Sequence, residues 1–460
     1  MRNSIILLLL SMIIANPLLS QDFIESYSLF DTPNGLQPLQ CWYGVGQSPN
    51  GMVYVAGSDH VTNSALYQFN PNTKTLKLCG DAVSAAQAAD NLEPGEAFEK
   101  FHCRPVYMDG KVYVASTEYS NFDDGYLNTR GFHWFAYDVA ADTFVDISAV
   151  EANGIAAEHA PAGQIIADTA RKKIYAMGLP TAHIYELDVT TGLTEDYGRP
   201  PFDFPDDYPA MTTFPWIGSD GRLYFNLDHM SLDSIYNHIY YLDPDSGYGV
   251  MSDWNVTVGR WNPSAFTQHG TPWRLKIGAW SKDKERCYIA TNFGDIHVYD
   301  AVLHTWDYVG TLNWGDNWDY YSYQVYTRTM HLNDDESKLY FINDKRGTTP
   351  GYFIIEFDLE TKTSKILAKL NDLGSEFIGC NVHGGNDIWD EDGYFYFVSF
   401  GGGKNVLLSP FNPEKYMQST HVENSDISVK ITPHQLDQNY PNPFYLETTI
   451  KYYLPRSSNV

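Results

Sequence analysis

The chain has 460 residues, of which 57 are acidic and 30 basic, giving a formal net charge of −27. That balance excludes a nucleic-acid partner, because phosphate contacts need a basic patch; an acidic surface mainly promotes solubility and self-repulsion. Hydrophobic residues (43%) and aromatics (15%) supply ample core, and the 34 Tyr and 11 Trp favour strands.

The N-terminus reads MRNSIILLLLSMIIANPLLSQ. A short basic start, an apolar run from Ile5 to Ala15 and a polar end near Ser20 make a secretory signal peptide, expected over residues 1–20. The run is shorter than the ~20 residues a membrane span needs, and no later segment is long and apolar enough to be a transmembrane helix of the mature chain. Five cysteines follow, Cys41, Cys79, Cys103, Cys287 and Cys380. Their odd number and scattered spacing rule out a small disulfide framework and any CxxC metal motif. They read as isolated buried thiols, with one disulfide open in an oxidising compartment.

From residue 50 onward one unit recurs seven times: a turn, an aromatic-rich strand, a loop, a strand ending in Asp or Asn, and a further strand. Copies include NGMVYVAG…ALYQFNPNTKTLKLCG, DGKVYVAS…HWFAYDVAADTFVDIS and ESKLYFIN…FIIEFDLETKTSKIL. Tyr54, Tyr113, Tyr175, Tyr224, Tyr288, Tyr340 and Tyr396 mark them at separations of 49 to 64 residues. One more apolar segment precedes each copy, making four short strands per repeat joined by turns rich in Asp, Gly and Pro. Four-stranded units arranged radially are propeller blades, so the expected fold is all-β, a seven-bladed β-propeller of four-stranded blades over residues 21–413. The last repeat lacks a clear fourth strand. The alternating segment QDFIESYSLF, upstream of the first repeat, is expected to supply it and lock the ring. The repeats resemble those of the broad Tyr-Val-Thr-Asn-like and quinoprotein-like propellers of secreted bacterial proteins. No Trp-Asp, Kelch or Asp-box signature recurs, so the resemblance speaks to fold and not to activity.

In a propeller the starts of the innermost strands converge on the central funnel from distant parts of the chain. Those positions hold His102 and Arg104 in KFHCRPVY, His159 in AEHAPAGQ, Thr212 and Thr213 in AMTTFPWI, and Arg274 in TPWRLKIG. Later blades add Tyr326 and Arg328 in QVYTRTMH, and Asn381 and His383 in GCNVHGGN. This cationic set in an acidic chain suits an anionic sugar. In a uronate lyase, Arg104 or Arg328 would hold the carboxylate in a bidentate fork, His102, His159 or His383 would remove the C5 proton, and Tyr326 would protonate the leaving oxygen. Several secreted uronate lyases are seven-bladed propellers, but no stretch here matches their motifs. Three histidines could equally bind a divalent metal, and the bland alternative is ordinary polar lining of a propeller channel; no metal site or cofactor is assigned.

The loop NWGDNWDYYSY carries Trp314, Trp318, Tyr320 and Tyr321, whose rings can stack on sugar faces or simply pack on the propeller surface. With Arg274 they form the expected ligand-binding set. The insertion EYSNFDDGYLNTRGF, residues 118–132, is expected to overhang the funnel. GxSxG, HExxH, P-loop and EF-hand signatures are absent; DPDSGYG, NDDES and WDEDG read as turns.

Residues 414–433 are polar and aperiodic, a linker. The stretch LDQNYPNPFYLETTIKYYLP after it resembles the start of the C-terminal sorting domain of type IX secretion in Gram-negative bacteria, through Leu436, Gln438 to Phe444, Thr449, Ile450, Tyr452, Leu454 and Pro455. Family members usually have Asn-Pro after the Phe, where this chain has Tyr445 and Leu446. The resemblance implies a partial sorting domain over 434–460, truncated before its later strands. It also implies the type IX secretion machinery as a partner and a destination outside the cell or on its surface. The leading expectation is a secreted or cell-surface propeller binding an extracellular ligand, most simply a carbohydrate, through its funnel. A polysaccharide lyase and a protein-binding or structural propeller are the alternatives.

Overall fold

The computed structural model describes residues 24–33, 35–118, 125–179, 181–202, 214–226, 238–256, 275–291, 294–312, 325–345, 351–401, 404–418, 435–436 and 452–453. Seven four-stranded antiparallel sheets follow one another along the chain. Their first strands, Val45–Gln47, Val106–Met108, Ala162–Asp168, Trp216–Ile217, Leu275–Trp280, Val325–Leu332 and Asn381–His383, are the inner strands of blades 1 to 7. This is a seven-bladed β-propeller.

The recurrent sequence features have direct structural causes. Each marker tyrosine lies in the second strand of its blade and is buried, so the repeat is read out as core packing between blades. The Asp or Asn that ends the third strand caps the outer hairpin through its side chain. Asn70, Asp138, Asp188, Asp300 and Asp358 each accept from two backbone N–H groups of the following turn. Such Asx turns satisfy amides that the ladder cannot reach.

The seventh blade takes its outer strand from the other end of the propeller. Tyr27 pairs with Leu408 and Ser28 with Leu407, next to buried Leu29 and a Tyr27–Phe69 ring contact at 4.5 Å. Closing the ring this way pairs an edge that would otherwise stand open.

All five cysteines are free and buried. Among the described residues, no helix is long and apolar enough to cross a membrane. The chain divides into two compact units between Phe411 and Asn412. In the second unit, Gln435–Leu436 pairs antiparallel with Tyr452–Tyr453. Residues 1–23, most of the expected linker and the remaining sorting-like stretch lie outside the described residues.

Candidate functional site

Three buried polar side chains stand at defects in the inner strands. The register of blade 3 slips between Ala162 and Ile165, that of blade 5 between Leu275 and Ile277, and that of blade 6 between Thr327 and Thr329. Each slip is one extra residue on the inner strand, a β-bulge, which leaves the extra residue unpaired and re-aims its side chain. Within these bulges stand Gln164, Lys276 and Arg328, all buried.

Each of the three does a separate job. Gln164 grips the segment that carries His102 and Arg104: its amide donates to the His102 carbonyl (2.8 Å) and its oxygen accepts from the Arg104 N–H (3.3 Å). Arg328 Nη1 donates to His383 Nε2 at 2.8 Å. Because a guanidinium only donates, His383 Nε2 is the acceptor and the ring is the neutral Nδ1–H tautomer. Lys276 Nζ donates to the Tyr43 hydroxyl, and lies 4.9 Å from the centre of its ring.

Tyr43 and Trp42 complete the cluster. Tyr43 has a left-handed backbone, φ 61, a conformation that is costly for a bulky residue and common at functional sites. It stands edge-on to both imidazoles, at 5.6 Å from His102 and 5.2 Å from His383. Trp42 lies 4.6 Å from His383 and 6.4 Å from His102. A bidentate-capable cation, an ammonium, two imidazoles, a phenol and an indole therefore meet at one place. That set can donate several hydrogen bonds to an oxyanion while presenting aromatic faces to an apolar ring.

A second layer lies further along the inner strands. After His383 the chain turns through two left-handed glycines, Gly384 (φ 66) and Gly385 (φ 89). A Cβ on Gly385 would sit 1.9 Å from the Tyr396 carbonyl oxygen, so only glycine fits there. The turn delivers Asn386 and Asp387 to neighbouring blades. Asn386 Oδ1 accepts from Met330 N at 3.4 Å, Asp387 N donates to Met330 O at 2.9 Å, and Asp387 Oδ2 accepts from Trp280 N at 2.9 Å. Arg104 and Asp387 are both half-buried. Burial pushes the Asp387 carboxyl up against the opposing pull of Lys284 and Arg104. Burial likewise lowers the Arg104 guanidinium, with Asp387 as its counter-charge.

His102, Arg328 and His383 thus share one site, and Arg104 lies in the layer beyond it. His159 does not join them. Its Nδ1 bonds the Thr129 carbonyl at 2.6 Å and its Nε2 lies 3.5 Å from Glu158, so it braces the blade 2 insertion from blade 3. Tyr326 lies in the blade 6 inner strand opposite Asp344, and Asn381, at the start of the blade 7 inner strand, is exposed. Thr212, Thr213, Arg274, Trp314, Trp318, Tyr320 and Tyr321 lie outside the described residues. No group of three His, Cys, Asp or Glu among the described residues is placed to hold a metal ion.

Part of the 118–132 insertion is anchored in a buried polar network. Gly131–Phe132 pairs with Ala157–Glu158. The buried His133 holds Asp146 through Nδ1 (2.8 Å) and Glu96 through Nε2 (3.1 Å), and Arg130 reaches Glu96 at 3.3 Å. Burial opposes a charge on His133, but the two carboxylates prevail and lift it to about 9. Glu118, 6% exposed, buries Oε1 with no hydrogen-bond partner among the described residues. Burial, with Glu96 close by, pushes its carboxyl up to about 8.

No protein-family model matches the chain, and no curated protein matches it. Solved structures match in shape. The β-propeller domain of Cps50 (Swd1) from Myceliophteria thermophila aligns over 82% of this chain and 98% of its own, with TM-score 0.50 and 7% identity. An oligogalacturonate lyase in complex with manganese aligns over 86% and 97%, with TM-score 0.49 and 11% identity. YCF48 from Cyanidioschyzon merolae aligns over 85% and 99%, with TM-score 0.49 and 9% identity. At such identities the likeness concerns the fold alone.

Proposed function

We propose that this chain is a secreted or cell-surface propeller whose central funnel binds an anionic extracellular carbohydrate. The observation that carries the reading is the meeting of Arg328, Lys276, His102 and His383 with Trp42 and Tyr43 in a chain of net charge −27. Concentrated cationic donors in an acidic protein select for a carboxylate-bearing ligand, and the rings favour a sugar over a bare ion. The signal-like N-terminus and the sorting-like C-terminus support delivery outside the cell by the type IX machinery. Calorimetric titration with oligouronates and with neutral oligosaccharides of equal length tests the proposal. Binding of the uronates alone is expected, weakened in Arg328→Met. Equal binding of both, or of neither, refutes it, and the latter outcome favours a protein-binding propeller.

A lyase is the second reading, favoured by the placement of Tyr43 between His102 and the Lys276 ammonium. A base would take the C5 proton, the C4–C5 double bond would form, and the C4–O bond would break with its electron pair on the leaving oxygen. His383 is a poor base in this arrangement, since Arg328 occupies its Nε2 lone pair. The role would fall to His102 or Tyr43. Ultraviolet absorbance from an unsaturated product separates this reading from binding alone.

A further inference from the structure

We infer that the funnel is a blind cup that receives the end of an anionic chain and not a stretch from its middle; the inference rests on the carbohydrate-binding reading above. It follows from which blades touch one another across the ring. In a seven-bladed ring, blades 5 and 1 are three places apart, nearly opposite. Lys276 belongs to the blade 5 inner strand and Tyr43 to the residues just before the blade 1 inner strand, yet they are hydrogen-bonded. That contact crosses the axis.

A second crossing lies beyond it. Asp387 follows the blade 7 inner strand but accepts from Trp280 of blade 5, so the Gly384–Asp387 segment passes in front of blade 6. Arg104, from the segment leading into blade 2, lies near enough for its charge to act on the same carboxylate. Gly384 also packs on the Tyr43 backbone, where a Cβ would lie 3.1 Å from the Tyr43 carbonyl carbon. The two crossings are therefore joined into one floor, and a chain cannot thread through the ring.

Depth supplies the other half of the argument. Lys276 is 1% exposed, His383 2% and Arg328 5%, whereas Trp42 and His102 keep more of their surface open. Arg328 is thus more enclosed than Trp42 and His102, so a carboxylate that pairs with it has to enter end first. An internal unit of a polymer could do so only by bending both flanking chains back out of the same opening. A terminal unit has one flanking chain and one free side, and the closed floor suits the free side.

Titration of the full wild-type chain with oligogalacturonates of increasing length, up to polygalacturonate, tests the inference. One protein bound per chain at every length, with affinity per chain independent of length, is expected. A number of proteins bound per chain that grows with length overturns end recognition while leaving carbohydrate binding intact. Failure of every length to bind removes both. Fixing one end of each chain to a surface then shows which end is read: loss of binding identifies the immobilised end as the one the cup takes.

Discussion

Replacing Glu118 by Gln should remove a pH dependence of stability that its burial creates. Its carboxyl stands at about 8 in the folded chain against the ordinary 4.5, so folding takes up a proton between those values. The contribution is present in full below the unfolded value and is lost as pH rises through the folded one. Within that window it falls by about 1.4 kcal/mol per pH unit. His133 acts in the same direction, since it rises from 6.5 to about 9, but its loss begins only above the unfolded value. The range from about pH 5 to about pH 6.5 therefore isolates Glu118, and the wild type should lose about 2 kcal/mol there relative to Glu118→Gln. Urea denaturation of both proteins at several pH values gives the difference directly, because other carboxylates contribute equally to each. Gln keeps the shape and an uncharged polar end, so the variant should fold. A difference in unfolding free energy that stays flat over this range would refute the account of Glu118 as a neutral buried acid.

Three further outcomes test the ring and the funnel. Leu29→Ala, which truncates a fully buried side chain beside the closing strand, should cost about 2–5 kcal/mol in denaturant unfolding; a change within error would mean that the strand does not hold the ring. Trp42→Ala should weaken oligouronate affinity by roughly tenfold, about 1.4 kcal/mol, through loss of ring stacking. Unchanged affinity by calorimetry would place the sugar elsewhere. Arg328→Met should abolish the preference for uronate over neutral sugar while leaving folding intact, because an apolar side chain of similar length can replace a buried cation; retained selectivity would show that the guanidinium does not meet the carboxylate.

The architecture was legible because the features that build it are periodic. Seven buried tyrosines in seven second strands and an Asx-capped hairpin in most blades leave the same local mark each time, and the segment around Tyr27 could be placed because blade 7 was one strand short. The cluster was legible only in part: Arg328 was named from its place in QVYTRTMH although it stands in a bulge. His102 and His383 were found from their places at inner-strand starts, and so could Trp42 and Tyr43 have been, by applying the same rule to QCWYGVG. Lys276 stands two residues after Arg274, and the bulge that re-aims it has no mark in the sequence. His159 shows the converse failure: it precedes an inner strand as the others do, but its backbone enters the left-handed region at φ 52 and its ring turns to Thr129.

Gln164, Lys276 and Arg328 come from such defects, whereas His102, His383 and Tyr43 do not. A regular inner strand sends alternate side chains to the two faces of its blade, and both sets must fill space against the neighbouring blades. An extra residue is released from the ladder, so its side chain can be chosen for what it binds and not for how it packs. Gln164 uses that freedom to hold the backbone of the segment carrying His102 and Arg104, Arg328 to fix the tautomer of His383, and Lys276 to reach across the axis to Tyr43. Two of the three bulges place their side chains in the cluster, and the third holds the segment that carries His102. Deleting Arg328 outright, to restore an unbroken ladder between Thr327 and Thr329, should therefore preserve the propeller while erasing uronate binding. Loss of the fold itself in that deletion would show that the bulge serves the architecture and not the site.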